Sequence, residues 1–264
     1  MELIPINTIK VNQNKIDEID RIVHSIYRLI IYSKHHSDDD LLDAYIKGSH
    51  SLRELLSIKN AQMEAQNELE AKEYLTHFKS AFQFAIQEII NQINFESEIQ
   101  LFQLLRLASP EANAIHPNRY RYTLVQIGSY ICPEPQEISM LVNRLLYQMK
   151  LIPNPIIRSI YFHHELIRIH PFVDGNGRVT RLAKNWMLMF NLYPPTFITD
   201  VSKKKDYTNA LANSFKELAK FPNQWNEHTE LFFEQELDYL MYNASQLYNS
   251  IDKIGKKREE ISEE

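Results

Sequence analysis

The sequence predicts an all-α protein, a helical bundle that carries one small β-hairpin. Glycine makes up only 5 of the 264 residues, about 2% where roughly 7% is usual, so the chain has few left-handed turns to build. Apolar residues such as Ile16, Ile19 and Val23 recur at three- and four-residue spacing, which is typical of an amphipathic helix. Residues 119–135 have a different composition, and they interrupt the helical pattern.

Three parts are expected along the chain. The first is an N-terminal helical region over residues 1–95, where glycine and proline are nearly absent. The second is a core over residues 96–235, which contains the hairpin and the candidate site. The third is a helical, charged tail over residues 236–264, with few apolar residues near its end.

The β-hairpin is predicted within residues 119–135, RYRYTLVQIGSYICPEP. Aromatic and β-branched residues favour strands, Gly128-Ser129 is a turn signal, and prolines end the segment. A structural loop is the alternative interpretation. The helical pattern resumes from Glu137 to Lys150.

Composition excludes several classes of function. With 29 lysines and arginines against 34 aspartates and glutamates, the net charge is −5, so nucleic acid is not an expected partner. No apolar run approaches the ~18 residues of a membrane span, and the first residues lack the pattern of a signal peptide. Cys132 is the single cysteine and cannot form an internal disulfide. We expect a cytoplasmic protein in which this thiol is buried and inert.

A helix, a short loop and a second helix form the most informative part of the sequence. Asn154 and Pro155 predict a helix start, with asparagine as the N-cap. This helix is expected to end near His170, because Pro171 disfavours the α conformation in the residue before it. The second helix is predicted to begin near Arg178.

The loop between these helices has the chemistry of an anion-binding site. The amides of Gly175, Asn176 and Gly177 lie at the start of a helix, where they have no intrahelical partners and the dipole is positive. Arg178 and Arg181 are three residues apart, hence on one face, and extend this site toward a polyphosphate.

Two further residues complete a set for phosphoryl or nucleotidyl transfer. Asp174 places a carboxylate beside the anion site, which is the arrangement that Mg²⁺ bridging to phosphate oxygens requires. His170 is suited to accept a proton near neutral pH. Each feature alone is common in loops, and the specificity lies in their order within HPFVDGNGRVTR.

That string resembles the signature of the Fic domain family, HxFx[D/E]GNGRxxR. The matching residues are His170, Phe172, Asp174, Gly175, Asn176, Gly177, Arg178 and Arg181. The predicted hairpin is similar to the family's flap, which holds target peptides, and LANSF after Tyr207 is similar to a closing helix. The resemblance covers roughly residues 102–233 and implies a Fic-type helical bundle whose catalytic core is the part over residues 96–235, with additional N-terminal helices.

The resemblance implies a protein adenylyltransferase, which moves AMP from ATP to a serine, threonine or tyrosine hydroxyl. His170 would deprotonate the target hydroxyl, and Asp174 would hold Mg²⁺. The loop amides would receive the α- and β-phosphates, while Asn176 would orient the α-phosphate. Arg178 and Arg181 would hold the outer phosphates.

Other residues enter through the same resemblance. Phe172 would pack under the loop. The flap residues that would lie along the nucleotide and the target are Thr123, Leu124, Val125 and Gln126. Tyr207 is the candidate for contact with adenine. ATP and a target protein are the expected partners, with the chain itself among the candidate targets and homo-oligomers left open.

One element departs from the family pattern. Many members inhibit themselves with a helix carrying [S/T]xxxE[G/N], whose glutamate pairs with the second arginine of the motif. The counterpart here is LLSIKNAQ: alignment on Ser57 puts Ala61 at the glutamate position, and alignment on Asn60 puts Lys59 there. Neither residue is acidic, so inhibition by that route, and AMP removal through that glutamate, are not expected. Glu64 is a possible substitute.

Three alternatives stay open. The protein could be a nucleotide-binding regulatory module without turnover, a Fic-type kinase or phosphotransferase, or a zinc-dependent hydrolase that uses His163, His170 and Asp174. His163 shares a helical face with His170, seven residues later. A structural role for His163, packed under the motif, is favoured over zinc binding.

Overall fold

A computed structural model of the protein describes residues 1–32, 67–198, 201–222 and 224–262. It confirms the all-α prediction, because the described chain consists of helices, their connections and one two-stranded hairpin. Ser57, Lys59, Ala61 and Glu64, the residues of the inhibitory-helix prediction, lie outside the described residues.

The N-terminal half begins with a short 3-10 helix, Ile6–Thr8, before the first long helix. Its described residues form the α-helices α1 (Gln13–Tyr32), α2 (Glu68–Ile90), α3 (Glu98–Ala108) and α4 (Pro110–Ile115). The apolar spacing in α1 is used as predicted, since Ile16, Ile19 and Val23 are buried in the core.

The predicted hairpin is confirmed and is very short. Strand β1 (Gln126–Ile127) pairs antiparallel with β2 (Tyr130–Ile131), so that Gln126 lies opposite Ile131. Gly128 makes the turn with a φ of 59°, in the left-handed region that favours glycine. The Cys132 amide extends the pairing by donating to the Val125 carbonyl at 3.0 Å.

The C-terminal half follows a second 3-10 helix, Pro135–Glu137. Its α-helices are α5 (Ile138–Lys150), α6 (Pro155–Ile169), α7 (Asn176–Phe190), α8 (Val201–Lys220) and α9 (Glu227–Ser262). The side chain of Asn154 caps α6 as predicted, accepting hydrogen bonds from the amides of Ile156 and Ile157. Helix α9 is continuous across residues 235 and 236, where the sequence suggested that the tail begins.

Helices α6 and α7 are central and carry the candidate site between them. Helix α6 packs against α5 and α7, and α7 also packs against α2 and α3. Helices α1 and α8 both pack against α9. Helices α6 and α7, which the loop of residues 170–175 connects, are therefore both fixed by packing against other helices.

Helix α6 is buried on nearly every side, and its polar residues bond to one another. The Glu165 carboxylate lies 2.8 Å from His164 Nδ1 and 2.5 Å from Arg168 Nη2, and it accepts the Ile4 amide at 3.2 Å. Burial opposes ionisation of Glu165, but the charge of Arg168 and the hydrogen bond to His164 together lower its pKa to about 2. This network ties the N-terminal segment to α6, because a buried charge is tolerated only when it is paired and hydrogen-bonded.

Candidate active site

His170 ends helix α6 in the position that Pro171 predicts. Its backbone is left-handed, with a φ of 52° and a ψ of 61°, and its amide still donates to the Leu166 carbonyl at 2.9 Å. A positive φ is uncommon for a residue other than glycine. The surrounding structure therefore holds His170 in a strained conformation, as often occurs at functional sites.

The imidazole of His170 is neutral at pH 7. Burial is the main cause that lowers its pKa to about 4, and the charge of Arg121 lowers the pKa further. The carbonyl of Ile167 and the charge of Asp174 oppose this shift. Within the described chain, Nδ1 is buried without a hydrogen bond of good geometry. A neutral imidazole can accept a proton, so His170 has the protonation state of a general base.

Asn176 and Phe172 fix the shape of the loop. The Asn176 side chain is buried and bonds to both backbone polar groups of Phe172. The Phe172 ring is buried as predicted, in contact with the rings of Phe102 and Tyr120. The Asn176 side chain thus holds the backbone of the loop in place.

The N-terminus of α7 is built as an anion-binding site. Gly175 is its N-cap, with a φ of 78°, and no side chain caps the helix. A Cβ at Gly175 would collide with Ser109, whereas a Cβ at Gly177 would meet only the end of the Arg181 side chain, at 3.0 Å. Within the described chain the amides of Asn176 and Gly177 have no backbone acceptor, so they can bind a negative group, which the helix dipole favours. The Gly175 amide, which was predicted to join them, donates instead to Asp174 Oδ1.

Asp174 presents its carboxylate at the edge of this loop. Its side chain is 68% exposed, and its Oδ2 lies 3.8 Å from Arg178 Nη2. Its Oδ1 accepts the Gly175 amide at 2.6 Å. Mg²⁺ is usually held in proteins by one or two carboxylates together with substrate phosphates, and an exposed carboxylate beside the loop amides fits that role.

The two arginines of the motif, predicted to act together, lie in different surroundings. Arg178 is buried, with Nη2 2.5 Å from Glu111 Oε1, Nη1 3.2 Å from the Ala108 carbonyl, and its guanidinium 4.5 Å from the centre of the Tyr74 ring. These contacts connect α7 to α2, α3 and α4. They give Arg178 a structural role that the sequence did not predict.

Arg181 lines a small cavity of about 80 Å³ beside α7. Tyr207, the candidate adenine contact, also lines it and is only 8% exposed. The Tyr207 hydroxyl is 2.7 Å from His163 Nε2, and His163 Nδ1 is 3.1 Å from Glu236, which pairs with Lys184 at 2.8 Å. Lys184 and Glu236 were not predicted from the sequence, because partners 52 residues apart leave no local pattern.

His163 has the structural role that its sequence context favours. It is buried, it contacts Tyr207 and Glu236, and burial lowers its pKa to about 4, although Glu236 opposes the shift. Within the ranges that the structure describes, no three histidine, cysteine, aspartate or glutamate side chains come together as a metal site requires. The zinc-hydrolase alternative therefore lacks its ligand set in this part of the chain.

The hairpin exposes three of its four predicted contact residues. Thr123, Leu124 and Gln126 are exposed, and Val125 is half-buried. The Val125 carbonyl is used by Cys132, so the neighbouring backbone groups of Leu124 and Gln126 point to the opposite edge of the strand. No strand among the described residues pairs with this edge. An extended peptide can add to such an edge.

Cys132 and Arg121, in the hairpin region, are both buried. Cys132 is buried as predicted, and burial raises the pKa of its thiol to about 11, which disfavours the reactive thiolate. Arg121 bonds to the hairpin and to the carbonyl of His170. This role of Arg121 was not predicted from the sequence, because a single arginine in an aromatic segment belongs to no motif.

Among the described residues, no helix combines the length and the apolar character that crossing a bilayer requires.

Comparison with known proteins finds a family match within this region. The model of the Fic/DOC family matches residues 116–188, which contain the hairpin, α5, α6, the loop and most of α7. A relative from Culex quinquefasciatus named "Protein adenylyltransferase Fic" is 25% identical over 182 residues, or 67% of this chain and 36% of its own. The chain thus spans about a third of the length of this relative.

Solved structures show the same fold. A Fic domain containing signalling protein from Bacteroides thetaiotaomicron superposes with a TM-score of 0.69 at 18% identity, over 89% of this chain and 98% of its own. IbpAFic2, in a complex with adenylylated Cdc42, gives a TM-score of 0.55 at 16% identity, over 89% of this chain and 72% of its own. The family match, the relative and the shared fold agree with the geometry of the loop: residues 116–188 match the Fic/DOC family, and the described chain shares the fold of a Fic domain containing protein.

Proposed function

We propose that the protein is an adenylyltransferase, which moves AMP from ATP to a serine, threonine or tyrosine hydroxyl of a target protein. One observation carries this proposal: only the short loop of residues 171–175 separates His170, whose pKa keeps it neutral, from the uncapped N-terminus of α7. A proton acceptor beside an anion site is the arrangement that nucleotidyl transfer to a hydroxyl needs. The names of the relatives support the same reaction.

In this mechanism, His170 accepts the proton of the target hydroxyl as its oxygen attacks the α-phosphorus of ATP. The bond between the α-phosphorus and the bridging oxygen breaks, and pyrophosphate leaves. The amides at the start of α7 and the helix dipole stabilise the negative charge that develops on the phosphate oxygens. Arg181 contributes positive charge for the outer phosphates.

Other residues of the loop prepare this site. Asp174 would hold Mg²⁺, which neutralises phosphate charge when it is bound. Asn176 and Phe172 keep the loop amides in place. Tyr207 is proposed to contact adenine from the cavity beside Arg181. Catalysis is assigned to the core over residues 96–235.

The target is proposed to bind along the free edge of β1, where Thr123, Leu124, Val125 and Gln126 lie between it and the nucleotide. Main-chain pairing with an extended peptide suits a protein target and tolerates different sequences. For IbpAFic2, the structure contains the adenylylated protein Cdc42, which supports a protein target here. A cytoplasmic location is part of the proposal, and the single, buried cysteine is compatible with it.

Labelled ATP tests the reaction. The protein is incubated with Mg²⁺ and ATP labelled at the α- or, separately, the γ-phosphate, alone and with cell lysate. We expect the α label to enter protein and the γ label to stay out. His170→Ala should abolish transfer, and His24→Ala, a change at an exposed histidine of α1, should not affect it.

Other outcomes would contradict the proposal in distinguishable ways. Transfer of the γ label would identify a kinase. Tight binding of ATP by calorimetry, with no transfer of the α label to any protein in the lysate, would indicate a regulatory module without turnover. Transfer by the His170→Ala variant at the wild-type rate would remove His170 from the mechanism.

A further inference from the structure

Arg121 is a buried arginine between the hairpin and the end of α6. Its side chain is 2% exposed. Its Nε donates to the His170 carbonyl, its Nη1 to the Thr123 carbonyl and its Nη2 to the Pro133 carbonyl, each at 2.7 Å. Nη2 also donates to the Ile169 carbonyl at 3.4 Å, and the backbone amide of Arg121 donates to the Pro171 carbonyl at 2.8 Å.

No carboxylate lies within ion-pair distance of Arg121 in the described part of the chain. The hydrogen bonds of its guanidinium therefore go to backbone carbonyls alone. A buried charge is costly unless its donors are hydrogen-bonded, so the positions of these carbonyls and of the guanidinium depend on each other. The planar fork of arginine suits this arrangement, and the single ammonium of lysine cannot reproduce it.

The three carbonyls that are bonded at 2.7 Å, those of His170, Thr123 and Pro133, belong to parts of the chain that must act together in the proposed reaction. Thr123 precedes β1 and Pro133 follows β2, so both arms of the hairpin are held. His170 is the proposed base, and its carbonyl is held in a left-handed backbone conformation. One side chain thus connects the target-binding edge directly to the residue that would accept the target's proton.

We propose that Arg121 is a positioning residue, which fixes the hairpin relative to His170 and so sets the distance between a bound target hydroxyl and the imidazole. This inference rests on the proposed function. Reactions of this kind are sensitive to such distances, since a misplacement of ~1 Å can lower the rate about 100-fold. Arg121 itself has no role in binding ATP, because its donors are directed at backbone carbonyls.

The charge of Arg121 gives a second, independent readout. Among the described residues, burial of the ring and the charge of Arg121 lower the pKa of the His170 imidazole, whereas the Ile167 carbonyl and the charge of Asp174 raise it. Removing the charge should therefore raise the pKa of His170, whereas lysine at the same position should leave it low.

The test compares Arg121→Met and Arg121→Lys with Arg119→Met, which changes an exposed arginine two residues earlier. Transfer of the α label from ATP to protein, in the lysate and on the chain itself, is measured beside ATP affinity by calorimetry. Both Arg121 variants should lose about 100-fold in transfer while ATP affinity is unchanged. Arg119→Met should behave as the wild type in both measurements.

Two measurements do not depend on activity. Hydrogen exchange of the Cys132 amide, which is bonded across the hairpin, should accelerate in both Arg121 variants relative to amides of α7. The pKa of His170, followed by NMR, should rise in Arg121→Met and not in Arg121→Lys. Unfolding curves establish that each variant is folded, and Arg121→Lys serves where Arg121→Met does not fold.

The inference is overturned if both Arg121 variants transfer label at the wild-type rate, or if transfer and ATP affinity fall together. Unchanged exchange at Cys132 would also overturn it. Absence of transfer in the wild type would instead contradict the proposed function, and in that case the exchange and NMR results still decide whether Arg121 couples the hairpin to His170.

Discussion

Asn176 and Phe172 exchange two hydrogen bonds across the loop. The Phe172 amide donates to Asn176 Oδ1 at 2.9 Å, and Asn176 Nδ2 donates to the Phe172 carbonyl at 2.9 Å. Asn176 is also the first residue of α7. These two hydrogen bonds therefore close the loop and also fix the direction of the first amides of α7. The stability of the loop is thereby linked to its affinity for phosphate.

The substitution Asn176→Asp removes one of these two hydrogen bonds and keeps the other. The aspartate keeps the acceptor for the Phe172 amide, loses the donor, and places a carboxylate beside a buried carbonyl. We expect a loss of about 1–3 kcal/mol in the free energy of unfolding, measured in urea, because a buried acceptor is left unpaired. ATP affinity, measured by calorimetry, should fall as the loop amides shift.

The matched control is Asn143→Asp in α5. Asn143 also donates through Nδ2 to a carbonyl four residues earlier, at 2.9 Å, but it is exposed. This change should cost little stability and leave ATP affinity unaffected. Equal effects of the two substitutions would contradict the role assigned to Asn176.

The two glycines of the loop should respond differently to alanine. Gly175 has a φ of 78°, and a Cβ there would collide with Ser109, whereas Gly177 is helical and a Cβ there would meet only the flexible end of the Arg181 side chain, at 3.0 Å. Gly175→Ala should lower the free energy of unfolding by about 1–3 kcal/mol or more, since strain and a steric clash add. Gly177→Ala should keep the stability and reduce ATP affinity about tenfold, or ~1.4 kcal/mol.

Urea unfolding and calorimetry distinguish these effects. The double change Ser109→Gly and Gly175→Ala should recover part of the stability, because it removes the clash and leaves only the strained backbone. A destabilised Gly177→Ala variant would contradict the assignment of Gly177 to ATP binding alone. A Gly175→Ala variant as stable as the wild type would show that neither the clash with Ser109 nor the positive φ requires glycine at position 175.

The features that could be predicted from the sequence are those with a local cause. Pro171 restricts the residue before it, so the end of α6 at His170 follows from two adjacent positions. Asn154 before Pro155 predicts a helix start, and Gly128 predicts the hairpin turn, because each of these residues suits one backbone conformation. Their consequences are confirmed without knowledge of the rest of the fold.

The features that were not predicted from the sequence depend on partners that are distant along the chain. Arg178 and Arg181 look equivalent, since they share a helical face, but Glu111, 67 residues before Arg178, pairs with its guanidinium. Arg121 has meaning only beside the His170 carbonyl, 49 residues later. A burial pattern predicts that a polar side chain needs partners, and the tertiary fold decides which partners it has.

Because Arg178 and Arg181 lie in different surroundings, we expect substitution of Arg178 to lower mainly the stability and substitution of Arg181 to lower mainly the ATP affinity. Arg178→Met loses the pair with Glu111, the bond to the Ala108 carbonyl and the contact with Tyr74, so the free energy of unfolding should fall by about 1–3 kcal/mol. Arg181→Met should reduce ATP affinity more than Arg178→Met does. Urea unfolding and calorimetry on both variants test this, and Glu111→Gln should reproduce part of the Arg178 effect on stability.

A larger loss of ATP affinity in Arg178→Met than in Arg181→Met, with no loss of stability, would contradict this assignment. It would place the Arg178 guanidinium on the nucleotide, as its position in the motif alone suggested.

The low pKa of His170 predicts activity at acid pH. Burial is the main cause of the shift to about 4, so the imidazole should stay neutral as the pH falls from 7 to 5. An unshifted histidine, with a pKa near 6.5, would be only about 3% neutral at pH 5. The acid limb of kcat/KM for label transfer should therefore lie well below pH 6.5.

The same shift makes His170 a contributor to stability that is present above pH 6.5 and lost as the pH falls toward 4, because the unfolded chain then binds the proton more readily. NMR titration measures the pKa directly, with the His170 signal assigned by its loss in His170→Ala and compared with the chain unfolded in urea. A midpoint near 6.5 in the folded protein would show that burial does not control this imidazole, and the base would then be half protonated close to neutral pH.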